Sequence, residues 1–103
     1  MGKIVLKNKI KVNEKDVKVL NLKLIDLKVM DLVSAERDYH LNGGTPTAPL
    51  SLNFSYCLCV AAKASGYEYG DLAELSALDG CEVVEEVQRF LLGMEQTHKK
   101  LEN

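Results

Sequence analysis

From Lys3 to Val12 the side chains alternate between apolar and basic. The apolar members share one parity and the lysines share the other: Ile4, Leu6, Ile10 and Val12 against Lys3, Lys7, Lys9 and Lys11. Alternate side chains of a β-strand point to opposite faces, so this pattern predicts a strand with one buried face and one solvated face. Such a strand needs a partner strand for its backbone and other elements to cover its apolar face.

The partner strand is predicted directly afterwards. Residues 13–16 are polar and predict a four-residue turn, and residues 17–24 are rich in branched side chains, so an antiparallel hairpin is expected over about residues 3–24. The parity changes within the second strand, because Val17 and Val19 lie on one face while Leu20 and Leu22 lie on the other. A bulge near Val19 and Leu20 would keep both sets buried. A two-stranded hairpin is marginally stable alone, so its apolar face must pack on other elements or pair with another chain.

Helices are predicted in the remainder, over about residues 26–41, 51–65, 70–75 and 77–92. Asp26 and Ser51 are predicted N-caps, and Gly66 is the predicted left-handed residue after the second helix. Residues 42–49 hold two glycines and both prolines and are predicted to form a loop. The fold class is therefore α+β, an N-terminal antiparallel β-hairpin followed by a bundle of three to four helices. It is expected to be a single domain over residues 1–93, with a flexible polar tail at 94–103.

The two longer helices differ in their apolar patterns. The first has a predicted buried stripe with Glu36 and Arg37 at its margin, formed by Leu27, Val29, Met30, Leu32, Val33 and Ala35. The second is apolar almost all around, which is typical of a helix in the middle of a core or in an oligomer interface.

The composition excludes several classes of protein. A chain of 103 residues, 47% hydrophobic and 27% charged, fits one globular domain. No apolar run approaches the ~18 residues that cross a membrane, and the N-terminus lacks an apolar signal core. The protein is therefore expected to stay in the cytoplasm where it is made.

The formal net charge is only −2, but basic and acidic residues are concentrated in different parts of the chain. Residues 1–28 hold eight lysines and three acids, whereas residues 29–96 hold three basic groups and eleven acids. Such opposed ends favour head-to-tail self-association or a docking face for a charged partner, and a solvated lysine face on the hairpin is the alternative. The lysines are not interleaved with aromatic residues and the chain is acidic overall, so nucleic-acid binding is not expected.

The chemically reactive side chains do not combine into a catalytic, cofactor or metal site. Cys57 and Cys59 would point about 200° apart on a helix, which suits neither a shared metal nor a disulfide, and with Cys81 they are expected to be buried small hydrophobes. Glu85 and Glu86 diverge by about 100° and cannot form an acid/base pair through spacing alone. No catalytic, cofactor-binding or metal-binding residue is assigned, and the protein is not expected to be an enzyme.

Several segments resemble, in order and spacing, the tail assembly chaperones of tailed bacteriophages, small proteins encoded just before the tape measure protein. The segments that resemble this family are residues 6–12, 17–24, 31–37, 61–66, 69–75 and 87–93. Asn8 and Lys9 stand where relatives commonly have a proline in the opening strand. Ile25 and Asp26 stand where relatives have a Pro-Thr or Pro-Ser step.

The resemblance implies a non-enzymatic chaperone in the host bacterial cytoplasm, absent from the mature virion. It would bind the tape measure protein, keep its long hydrophobic helices soluble and recruit tail tube subunits. Many such phages make a longer fusion by a ribosomal frameshift, and the extra domain binds the tube protein. Lys99 and Lys100 are candidate slippery codons for that event, with a plain basic tail as the alternative. A structural tube or connector component of the virion is the alternative function.

The protein is also expected to be a homo-oligomer that binds partners through its first two long helices. The hairpin would serve as a pairing edge or a charged docking face. The candidate interface residues are Leu32, Glu36, Arg37, Tyr39, Leu52, Phe54 and Leu58.

Overall fold

The chain forms an N-terminal β-hairpin packed against helices, in a computed structural model that describes residues 2–45 and 50–93. Its elements are β1 (Lys3–Val12), β2 (Lys15–Asn21), α1 (Val29–Leu41), α2 (Phe54–Ser65), α3 (Tyr69–Leu72) and α4 (Ala77–Leu91). Short 3-10 turns at Leu24–Asp26 and Leu50–Leu52 precede α1 and α2. The predicted α+β class, a hairpin followed by helices, is confirmed. The predicted tail at 94–103 lies outside the described residues.

The hairpin turn is tighter than the sequence predicts. Asn13 and Glu14 alone connect the strands, and both have positive φ angles of 53° and 67°. Two consecutive left-handed residues match the right-handed twist of the flanking strands, and asparagine tolerates this conformation well. The expected four-residue turn is wrong because β2 already begins at Lys15, which pairs with Val12.

The strands change register in the middle of the hairpin. Val5 pairs with Val19 and Ile10 pairs with Val17, so residues 6–9 of β1 lie opposite Lys18 alone. The register therefore shifts by three residues, which is an odd number. Because paired residues share a face of the sheet, this shift explains why Val17 and Leu20, one odd-numbered and one even-numbered, both face the core side. The extra residues belong to β1, so the bulge predicted near Val19 and Leu20 is wrong in position. Leu20 is buried, whereas Val19 is exposed.

A single carboxylate fills the gap that the register change leaves in the ladder. The Lys7 and Asn8 amides donate hydrogen bonds to Oδ1 and Oδ2 of Asp79, at 2.9 and 3.0 Å. Asp79 is fully buried, and the Ser76 hydroxyl also donates to its Oδ2 at 3.1 Å. The hydrogen bonds from the Lys7 and Asn8 amides hold the pKa of the Asp79 carboxyl below its ordinary value. Asp79 thus fastens β1 to the first turn of α4.

Aspartate occupies the same position in the first turn of three helices. Asp31 in α1 and Asp71 in α3 accept from the amides of Lys28 and Glu68, at 2.8 and 3.1 Å, which satisfies one free donor at each helix start. Asp79 holds the equivalent position in α4, where Ser76 is the N-cap, but its carboxylate is directed to β1 instead.

The helix starts differ from the predicted caps. Asp26 lies in the 3-10 turn and α1 begins at Val29, so the predicted N-cap is wrong. Ser51 also lies in a 3-10 turn, and the N-cap of α2 is Asn53, whose Oδ1 accepts from the Tyr56 amide at 2.9 Å. Gly66 ends α2 with a φ of 84°, as predicted.

Helix α2 runs through the centre of the core. Residues 56–62 and Ala64 are buried, and α2 contacts α1, α3, α4 and β2. The Lys23 amide donates to the Ala64 carbonyl at 3.2 Å and joins the end of the hairpin to the last turn of α2. The apolar composition of α2 allowed a position in the middle of the core or in an oligomer interface. The structure has it in the middle of the core.

Replacing Glu14 by glycine should stabilise the protein. A non-glycine residue in the left-handed region costs ~1–2 kcal/mol, and the extra unfolded-state entropy of glycine returns ~0.5–1 kcal/mol of this. Glu14→Gly should therefore raise the free energy of unfolding by about 0.5–1 kcal/mol in urea denaturation. Lys18→Gly, at a position without a positive φ, should lower it. An unchanged or lowered stability of Glu14→Gly would contradict the turn geometry.

Replacing Asp79 by asparagine should destabilise the fold at neutral pH, because the amide group presents a donor to one of the two β1 amides. The wild-type carboxyl has a lowered pKa in the folded state, so its contribution is present above the unfolded-state pKa of ~3.9 and is lost as the pH falls through the folded-state pKa. The difference in melting temperature between the wild type and Asp79→Asn should therefore shrink below about pH 4. The matched control is Asp71→Asn, at a partly exposed capping site, which should have a much smaller effect at pH 7. Equal melting temperatures of the wild type and Asp79→Asn at pH 7 would rule out this link.

Candidate protein-interaction surface

Helix α1 carries a row of exposed aliphatic side chains on its outer side, here called the α1 row. Val29, Met30, Val33 and Leu41 are 75%, 66%, 40% and 78% exposed. With about 100° per residue, all four fall within about a third of the helix circumference. Arg37 lies within this arc and is also exposed. The exposed His40 lies in this arc as well, so two polar residues separate Val33 from Leu41. Single exposed apolar residues are normal on a protein surface, but several on one helix face make that face a candidate binding surface.

The opposite side of α1 is packed into the protein. Ala35 and Tyr39 are buried, and Leu32 packs partly against the core. The Lys63 ammonium lies 3.0 Å from an Asp38 carboxylate oxygen and joins α1 to α2 at the edge of their contact. Helix α1 is therefore apolar on two sides, and only one of them contributes to the fold.

The predicted buried stripe of α1 is partly wrong. Leu27 and Leu32 pack against the core and Ala35 is buried, as expected, whereas Val29, Met30 and Val33 are exposed. Aliphatic residues occur on both sides of this helix, so periodicity alone could not decide which side faces the core. The position of Tyr39, one turn after Ala35, is the signal that marks the buried side.

The candidate interface residues divide between surface and core. Arg37 is exposed, Leu52 and Phe54 are 59% and 46% exposed, and Leu32 and Glu36 are half-buried. Tyr39 and Leu58 are buried in the protein's own core, so neither side chain is exposed to a partner in this structure. Leu52 and Phe54 lie at the start of α2 and are not members of the α1 row.

A hydrogen-bond network around Tyr39 holds the end of α1 against the start of α2. The Tyr39 hydroxyl donates to the Thr45 carbonyl at 2.7 Å and accepts from Nδ2 of Asn53 at 3.1 Å. The rings of Tyr39 and Tyr56 meet edge to face, with centroids 6.4 Å apart. Asn53 therefore caps α2 and positions Tyr39 at the same time, and the sequence alone showed neither role.

A cleft of about 230 Å³ lies beside this network, and Tyr39, Asn53, Ser55, Cys59 and Tyr69 contribute to its lining. Burial raises the pKa of the Cys57 and Cys59 thiols to about 11. Both thiols therefore remain protonated at neutral pH, and a protonated thiol is a poor nucleophile and metal ligand. Cys57 and Cys59 are buried as expected, whereas Cys81 is exposed, contrary to expectation.

Within residues 2–45 and 50–93, no three His, Cys, Asp or Glu side chains are grouped so that they could hold a metal ion. None of the helices in these segments has the length and apolar character that a membrane span requires.

Comparison of the chain with models of protein families, with curated proteins and with solved structures gives no match.

Replacing Gly44 by alanine should disturb the Tyr39 network. A Cβ at Gly44 would lie 2.3 Å from the Tyr39 ring, which is held by Thr45 and Asn53 and cannot easily move. Gly44→Ala should therefore lower the free energy of unfolding by ~1–3 kcal/mol, measured by denaturant titration. Gly70→Ala, where a Cβ would meet nothing within 4 Å, is the matched control and should be neutral or stabilising. Equal effects of the two substitutions would contradict the close contact between Gly44 and Tyr39.

Proposed function

We propose that this protein is a tail assembly chaperone of a tailed bacteriophage or prophage. It binds the tape measure protein during tail assembly and helps to recruit tail tube subunits. Two lines of support lead to this proposal: the ordered resemblance of segments between residues 6 and 93 to that family, and the exposed α1 row. The α1 row is the single observation that carries the binding role.

The α1 row suits a helical client. From Val29 to Leu41 it extends about 18 Å at 1.5 Å per residue. A client helix that presents apolar residues at i, i+3, i+4 and i+7 could lie along it and remove both apolar surfaces from water. Complete burial of an aliphatic side chain contributes ~1.5–3 kcal/mol, so four side chains supply a moderate driving force. Moderate affinity suits a chaperone that must release its client when tube subunits arrive.

The α1 row is available without any unfolding of the chaperone. The opposite side of α1 already contributes Ala35 and Tyr39 to the core, and the Asp38–Lys63 ion pair holds the helix in place. Binding would therefore incur little conformational entropy cost on the chaperone side. Arg37, within the α1 row, adds a cation that can select clients with a nearby carboxylate.

The proposed chaperone acts in the host bacterial cytoplasm and does not remain in the mature virion. Contact with the tube protein belongs to the chaperone itself or to a longer frameshifted form that carries an additional domain. No catalytic step is required for either role.

Co-expression with the tape measure protein of the same phage tests the proposal. The wild-type chain should keep that protein in the soluble fraction. The double variant Met30→Glu/Val33→Glu should reduce the soluble amount at least about tenfold, because two aliphatic contacts are lost and two charges face an apolar helix. The matched control is Ala73→Glu/Ala77→Glu, which adds the same charge at two exposed sites outside α1 and should solubilise as the wild type does. Thermal melting of all three chains checks that they are folded.

The possible outcomes test the chaperone function and the binding role of the α1 row separately. If the wild-type chain leaves the tape measure protein insoluble, the chaperone function is wrong. If the wild type solubilises it and Met30→Glu/Val33→Glu does so equally, the α1 row is not the binding surface. Stoichiometric amounts of the chain in purified phage particles would instead favour the structural tube or connector component.

A further inference from the structure

The outer side of the hairpin is a basic face. The hairpin carries a cross-strand pair of exposed valines, Val5 and Val19, and five exposed lysines on the same two strands. The lysines are Lys3, Lys7, Lys9, Lys11 and Lys18. Asp16 is the nearby acid, and it accepts a hydrogen bond from Lys9 at 3.1 Å. The hydrogen bond from Lys9 lowers the pKa of the Asp16 carboxyl, with smaller contributions from the charges of Lys11 and Lys18.

The outer side of α4 is an acidic face. Leu78, Glu82, Glu85 and Leu92 are exposed, at a spacing that places them along one side of the helix. The exposed Glu74 lies shortly before them in the chain. Arg89 is held by Glu86 at 3.2 Å and by Glu85 at 4.0 Å. Residues 67–93 contain seven acids and one arginine, a formal charge of −6.

The two faces cannot meet within one molecule. The strand β1 contacts α4, and Asp79 joins them from the buried side of α4, where Val83 and Val87 also lie. Each element therefore turns its charged face away from this contact and towards solvent.

We propose that the basic face of one copy docks on the acidic face of a second copy, head to tail. The Val5–Val19 pair would cover Leu78 or Leu92, and Lys3 and Lys18 would approach Glu82 and Glu85. Each face joins apolar residues to charges that are mainly of one sign, with Asp16 among the lysines and Arg89 among the glutamates. The contact is heterologous, so each copy keeps one free face and further copies can add. This inference stands on charge and exposure and does not rest on the chaperone role.

A second copy fits the basic face better than a nucleic acid does. The basic face contains no aromatic side chain on which a base could stack, and its centre is a pair of valines. A complementary acidic surface with its own leucines is present on the same chain. Nucleic acid is nevertheless included as an outcome of the test.

Analytical ultracentrifugation of charge-reversed variants tests the docking. Wild-type chain should form species larger than a monomer at low salt and dissociate near 1 M salt, where the Debye length is only ~3 Å. Lys3→Glu/Lys18→Glu and Glu82→Lys/Glu85→Lys should each raise the self-association Kd at least about tenfold. An equimolar mixture of the two variants should associate again, because each then offers the charge that the other lacks. Rescue by mixing is not expected of misfolded chains.

Two controls sharpen the result. Met30→Glu/Val33→Glu on the α1 row should self-associate as the wild type does, which excludes packing through α1. The neutral variant Lys3→Gln/Lys18→Gln should be intermediate and guards against misfolding caused by charge reversal. A wild-type chain that is monomeric at every concentration, reversed variants that associate normally, or a mixture that stays monomeric would each overturn the proposal. Loss of the large species on nuclease treatment would also overturn it, because nucleic acid would then be the occupant.

Discussion

The carboxylate of Asp79 is the interaction on which the hairpin and its helical cover both depend. An odd register offset leaves the amides of Lys7 and Asn8 directed away from β2, and buried donors without acceptors are costly. Asp79 supplies two oxygens to two donors and takes a third hydrogen bond from Ser76. The irregular part of the sheet is thereby also its point of attachment to α4. A regular hairpin would have neither the unpaired amides nor this connection.

The sequence predicts the fold class well and the surface poorly, for physical reasons. Alternation of apolar and basic residues is a strong local signal, so β1 was predicted with its correct buried side. Gly66 was also predicted correctly, because a left-handed residue after a helix favours glycine. Asp79 was not identified, because its partners lie 71 and 72 residues away and no local pattern links them. The predicted buried stripe of α1 was too wide, because it included both Val33 and Ala35, and only packing against α2 shows that Ala35 is buried and Val33 is exposed.

The surface of the protein divides into regions with different chemistry. The α1 row is aliphatic with one cation, whereas the hairpin and α4 carry charges of opposite sign around small apolar centres. A client helix and a second copy would therefore compete little for the same residues. Burial raises the pKa of the Cys57 and Cys59 thiols to about 11, whereas the Cys81 thiol is exposed. A surface of this kind is suited to assembly through reversible contacts.

The attachment of β1 to Asp79 has a consequence for the order in which the chain folds during synthesis. The acceptor for the two free amides of β1 is added by the ribosome some seventy residues after β1 itself. Until then the hairpin can form only its turn and its regular pairs, and an isolated hairpin is marginally stable. Completion of the N-terminal sheet therefore waits for the first turn of α4. The hairpin segment is rich in lysine, and edge lysines discourage aggregation of exposed strands during that interval.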